Sequence, residues 1–200
     1  MLQLNTNPLA DFDRPIDMMQ DCHRRVERFL AALAQAGDEA PPELTDEWRQ
    51  LLRTALDYFD GAAPLHTRDE EESLFPRLRA HADEQGVADA LAVIKRLEHE
   101  HDTAQPLHDE QERLGRAWLA AGGLSAADRA RFVALSMQLQ VLYAQHIRLE
   151  DEHVFVVARR VIGVDDQRVI GEEMRARRGG SSCSERKAAV RSEERASGNA

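Results

Sequence analysis

The chain has 200 residues, of which 42% are hydrophobic and 31% charged, with a formal net charge of −10 and a mean hydropathy of −0.53. That length suits one domain with a tail, and no apolar run approaches the ~20 residues that a membrane-spanning helix needs. The acidic balance argues against a nucleic-acid partner, which would require a concentrated basic face. Residues 1–16 lack a basic start followed by an apolar block, so no secretory signal is expected. Cys22 and Cys183 are too few and too far apart for a disulfide framework, which makes a reducing, cytoplasmic setting the default expectation.

Strand signals are sparse, whereas apolar residues recur at spacings of three and four, the mark of amphipathic helices. The spacing predicts a first helix over residues 15–36, with Asp13 before it, Pro15 in its opening turn and Gly37 ending it. Its buried stripe reads Ile16, Met19, His23, Val26, Leu30 and Leu33. A second helix is predicted from Thr45 or Asp46 to about residue 82, with the stripe Trp48, Leu52, Ala55, Phe59, Ala62, His66, Glu70 and Ser73 or Leu74. Gly61 and Pro64 interrupt its interior, so one kinked rod is expected there.

The third helix is predicted over residues 88–121, with the stripe Leu91, Ile94, Leu97, His101, Ala104, His108, Gln111, Gly115 and Trp118, and a kink at Pro106. Ser125 is a good cap for the fourth, whose stripe is Phe132, Leu135, Leu139, Leu142, His146, Glu150, His153 and Val157 before a stop near Gly163. A short fifth helix over residues 165–175 is expected to pack outside. The result is an all-α fold, an up-down-up-down four-helix bundle over residues 13–176, with an N-terminal extension (1–12). The segment 177–200 is rich in Gly, Ser and charge and is expected to be a disordered tail. It is basic, with seven Lys/Arg against three Asp/Glu from Arg175 onward, and the sequence names no protein partner for it.

Each long helix carries a histidine where periodicity demands an apolar residue: His23, His66, His101 and His146. Glu70 follows His66 by four residues, and Glu150 follows His146 likewise, so each pair shares one helix face. Burying carboxylates in a bundle core costs several kcal/mol each unless a cation compensates them. Imidazoles together with carboxylates suit a first-row metal. A lone histidine on an apolar stripe is more often a hydrogen-bonded core residue. Four in phase, one per helix, favour a metal site. His81 and His99 are expected in solvent, whereas His108 and His153 lie two turns from the central layer in opposite directions, ~10 Å away along their helices, so they cannot both join it, and His108 would be an added ligand only if Pro106 distorts its helix. The acids Glu71, Glu72, Asp151 and Glu152 are expected to face mostly outward.

Three stretches resemble the hemerythrin-like (HHE cation-binding) domain family: His66-Thr67-Arg68-Asp69-Glu70-Glu71 leading to Leu74-Phe75-Pro76, Glu100-His101, and His146-Ile147-Arg148-Leu149-Glu150 leading to Val154-Phe155. The resemblance implies a non-haem di-iron centre of two iron ions with an oxo or hydroxo bridge. His23, His66, His101 and His146 would be terminal ligands, and Glu70 and Glu150 would bridge. Several family members carry a further histidine four residues after the third-helix ligand; here that position is Gln105. Fewer protein ligands would leave positions open for O2, NO or peroxide, and Gln105 could hydrogen-bond a bound group. Glu98-His99 also reads as Glu-His, but Ile94, Leu97 and Ala104 place the His101 face inward. Tyr143 reads either as a hydrogen-bonding or redox-active phenol near the metals or as an ordinary core tyrosine, and Cys22 as an inert buried thiol. Family roles include O2 binding or sensing, nitric-oxide handling, iron–sulfur cluster repair and metal storage. The alternative to ligand chemistry is a metal-binding or storage protein without redox turnover. A haem bundle ranks last, because haem leaves Glu70 and Glu150 without a counter-ion.

Overall fold

A computed structural model describes residues 11–179, and all regular secondary structure among them is helical. The first helix, Pro15–Glu39, runs past Gly37 rather than ending there. Gly37 is instead a point of close approach: a Cβ on it would lie 2.6 Å from Val133 Cγ2 of the fourth helix. The C-terminal carbonyls beyond it are satisfied by Arg129, whose Nε donates to the Gly37 carbonyl at 2.7 Å.

The second rod covers residues 46–80 in consecutive pieces. An α-helix over Asp46–Asp57, capped by the Thr45 side chain, leads to a π turn over Tyr58–Ala62. An α-helix over Ala63–Asp69 is followed by a second π turn, Glu70–Leu74, and a last α-helix, Phe75–Ala80. The expected kink near Gly61 and Pro64 is thus a wide turn, closed by the Ala63 N–H donating to the Tyr58 carbonyl. Proline follows the closing residue in both turns, at Pro64 and Pro76. The extra residue gives room to a ring that can neither donate nor tolerate a tight turn below it. It also shifts the helical phase, so Ala62, expected inside, is exposed.

The third helix, Val87–Ala121, runs unbroken through Pro106, where a kink was expected. The fourth comprises Ala126–Leu149, a π turn over Glu150–Val154 and Phe155–Val161, with the Ser125 hydroxyl accepting from the Asp128 N–H as cap. That π turn again moves the phase: Val154 is buried and His153, expected on the stripe, is exposed. The first helix packs against the second and fourth, and so does the third, which gives the up-down-up-down ring.

The fifth helix, Val164–Arg177, is more than an outer attachment. Its Ile170 and Met174 are fully buried in one apolar cluster with Phe12, Ile16, Met19, Phe75, Ile94 and Phe155 at one end of the bundle. A second cluster, with Val26, Leu30, Tyr58, Ala104 and Leu139, lies on the other side of the histidine layer. On the first three long helices the polar residues fall between these two clusters in sequence, and on the fourth Leu139 and Val154 flank His146 and Glu150, with Ile147 of the second cluster between them. The layer is therefore closed off by hydrocarbon above and below. Arg177 and Arg178, placed in the tail by composition, belong to the folded part and pair with the buried Asp69 at 2.8 and 2.6 Å. The tail from residue 180 onward, with Cys183, lies outside the described residues.

Candidate metal centre

All six residues singled out by the helical phase meet in this layer. His23, His66, His146, Glu70 and Glu150 are buried, and His101 is nearly so. The Glu70 Oε1 lies 2.9 Å from His66 Nε2 and 3.8 Å from His23 Nε2, while its Oε2 is 3.6 Å from His101 Nε2. Glu150 Oε2 lies 3.1 Å from His23 Nε2 and 3.5 Å from His146 Nε2. The donor atoms form two groups, each within a 4.8 Å span: His23, His66, Glu70 and Glu150, and Glu70, His101 and His146. Glu70 belongs to both.

These contacts are close, yet none of the four carboxylate oxygens of Glu70 and Glu150 has a hydrogen-bond partner in the protein, although both residues are wholly buried. Leaving such atoms unmatched is expensive in a low-dielectric core. A cation between them and the facing imidazoles removes that cost, so the residues present fit a metal.

The chain also resembles known proteins. Residues 14–158 match the hemerythrin HHE cation binding domain. The chain belongs to the hemerythrin family. It is also 30% identical over 177 residues to a Haemophilus influenzae protein described as uncharacterized, an alignment covering 88% of this chain and 96% of the relative.

In this hemerythrin-family chain three ring nitrogens facing away from the layer are held by carboxylates. Asp151 Oδ1 meets His23 Nδ1 at 2.9 Å, Glu71 Oε1 meets His101 Nδ1 at 2.7 Å, and Glu100 Oε2 meets His146 Nδ1 at 3.1 Å. Such partners fix the tautomer and orientation that a ligand imidazole needs. Glu71 and Asp151 were expected to face outward, and this is a correction. Each follows its glutamate directly, at the start of a π turn, and reaches a histidine on the neighbouring helix. Glu72 behaves as expected and pairs at the surface with Arg68 and Arg177, and Glu152 is exposed. The fourth outer nitrogen, His66 Nδ1, is buried without a partner.

The metal-free electrostatics match this arrangement. Burial opposes charge on His23, but Asp151, Glu150 and Glu70 outweigh it and raise its pKa well above the usual range. Burial likewise opposes charge on His101, and Glu71, Glu70 and Glu150 raise it nonetheless. For Glu70, burial is overcome by His66, His23 and His101, which hold its carboxyl well below the ordinary value. For His146 burial prevails and lowers the pKa. The raised values on His23 and His101 reflect how strongly the two buried carboxylates favour positive charge in this layer.

The other histidines lie apart from these groups. His99 is exposed, and His81 hydrogen-bonds Glu84 at 2.7 Å. His108 Nε2 is 3.1 Å from the Tyr143 hydroxyl, whose ring packs edge-on against His146 with centroids 5.8 Å apart. Gln105 is exposed and donates to Asp109 at 2.7 Å. The buried thiol of Cys22 has its pKa raised chiefly by burial.

Proposed function

We propose that this protein holds two iron ions between His23, His66, His101 and His146, with Glu70 and Glu150 bridging, and that the pair binds or reacts with O2, NO or peroxide. The observation that carries the reading is the set of four buried carboxylate oxygens with no hydrogen-bond partner, facing imidazole nitrogens on all four long helices. Glu70 reaches both groups of donors, which supports two metals rather than one. Held by these residues, an iron pair would supply electrons to a small ligand.

The chain's own residues hold, orient and shield. Asp151, Glu71 and Glu100 aim three of the imidazoles. The apolar clusters on either side keep bulk water from the layer, which strengthens every charge interaction inside it. Burial, followed by the charge of Glu70, raises the Tyr143 phenol and keeps it protonated beside His146. A cytoplasmic setting belongs to the same reading, and among the described residues the buried Cys22 forms no disulfide. Rapid mixing of the ferrous protein with O2 or NO tests it. A ligand-dependent visible band is expected; a long-lived band indicates binding, and decay with product indicates turnover. Absence of any spectral change with both ligands contradicts it.

A further inference from the structure

The fourth helix, over Ala126–Leu149, is apolar on two faces. Its inner face buries Phe132, Leu135, Leu139 and Ile147 in the bundle. Yet residues 132–147 contain no Asp, Glu, Lys or Arg at all, the longest such run in a chain that is 31% charged. What this stretch turns outward is therefore uncharged. Met137 and Val141 are 59% and 63% exposed, with Gln138, Ala144 and Gln145 exposed beside them. A helix that is apolar all round is normally covered on every side, and the described residues leave Met137 and Val141 open.

The spacing and sizes on this face say what fits it. Ala127, Ala130, Ala134, Met137, Val141 and Ala144 follow one another at steps of three and four, the heptad spacing of a coiled-coil seam. Three alanines come first and both large side chains follow. A parallel second copy would set Met137 on Met137 and alanine on alanine, crowding some layers and leaving gaps in others. An antiparallel copy sets Ala127 against Ala144, Ala130 against Val141 and Ala134 against Met137, because these three pairs are symmetric about one point on the helix. Each large side chain then meets a small one, and the same patch serves both copies, as a two-fold interface requires.

Charge and area agree with this. A net charge of −10 opposes self-association over much of the surface, and this face is exempt from it. Its flanks carry the neutral Gln138, Gln140 and Gln145, and Arg131 at the edge is paired with Glu110 at 2.9 Å. A seam ~27 Å long and ~10 Å wide, with its flanking residues from both copies, occludes on the order of 1,000 Å² in all, the lower bound for a specific interface.

We propose that the outer face of the fourth helix is an antiparallel two-fold interface with a second copy of this chain.

Sedimentation equilibrium of the full chain, from micromolar to millimolar concentration, tests it. A monomer–dimer equilibrium is expected for the wild type. Met137→Glu is expected to weaken it at least tenfold, because it brings carboxylates into an apolar seam. Residue 137 is mostly in water in the single chain, so the variant keeps its helix content, which circular dichroism checks. Crosslinking on a Cys183→Ser background reads the orientation. Ala127→Cys and Ala144→Cys proteins are expected to form a disulfide when mixed and none when oxidised separately, since like positions would lie ~25 Å apart. A chain that stays monomeric at millimolar concentration overturns the proposal and leaves the face to another protein or a lipid surface. A dimer unaffected by Met137→Glu, or one in which each single cysteine links to itself, overturns it equally.

Discussion

The site is built from two halves that look alike and are supported differently. His66, Glu70 and Phe75 on the second rod recur at one constant offset as His146, Glu150 and Phe155 on the fourth, each with a π turn opening at the glutamate. The next residue, Glu71 or Asp151, reaches across to His101 or His23. Symmetry then fails in two places. Glu100, just before His101, anchors His146, but the residue just before His23 is Cys22, and His66 Nδ1 is left unpartnered. Conversely, the π turn after His66 is gripped by the fifth helix: Arg177 bonds Asp69 and Ser73 at 2.8 and 2.6 Å, and Arg178 bonds Asp69. At the position matching Asp69 the fourth helix has Leu149. One half thus has better-oriented imidazoles and the other a better-fixed backbone. Ligand orientation and backbone support are separable, and each half relies more on one of them.

The strongest way to break this comparison is to remove the residue both halves share. Glu70→Ala is expected to empty both groups, lowering metal content by at least the ~10–100-fold that outer partners alone command. Elemental analysis reads it, and loss of only one metal would show that Glu70 serves one half. Next is the clamp. Arg177→Ala/Arg178→Ala strands Asp69, whose side chain is only 1% exposed, and an unpaired buried charge costs about 3–5 kcal/mol. Urea unfolding of the metal-free protein checks this, and an unchanged midpoint would deny the clamp its role. A smaller effect is expected from Glu100→Gln, about tenfold weaker metal retention confined to the His101/His146 group, against none from Cys22→Ala. Chelator-release kinetics distinguish them, because the wild type is expected to lose the His23/His66 metal first.

Proton linkage sharpens the same contrast. His23 and His101 have raised pKa values, so their contribution to metal-free stability is full below the ordinary histidine value of about 6.5 and is lost as pH rises through the raised values. Glu70 acts oppositely: its contribution is present above the ordinary glutamate value and is lost as pH falls through its depressed one. Metal binding must displace the histidine protons, so affinity rises with pH and uptake at pH 7 releases acid. Titration in weak buffer measures this, and binding without proton release would contradict it. The smallest effects are expected from Glu72→Ala and His108→Ala, both with metal content unchanged.

Much of this was legible in the sequence. Helical phase alone brought His23, His66, His101 and His146 to one layer, because apolar neighbours on each stripe fix which face turns inward. The π turns were not legible, since a widened turn has no simple residue signature beyond a nearby proline, and the fourth helix lacks even that. Extrapolating a regular helix through them turned Ala62 and His153 inward and Glu71 and Asp151 away. The repeated acid directly after Glu70 and after Glu150 was the available signal for the outer carboxylates. Glu100 and the Asp69 clamp depend on contacts between helices distant in sequence, which periodicity does not encode.

The central claim is that a pair of cations completes the buried carboxylate–imidazole layer. Metal stoichiometry with an absorption spectrum, on protein purified without added metal, tests it most directly. Two irons per chain with visible absorption are the predicted result. A single zinc per chain and a featureless visible spectrum would contradict it.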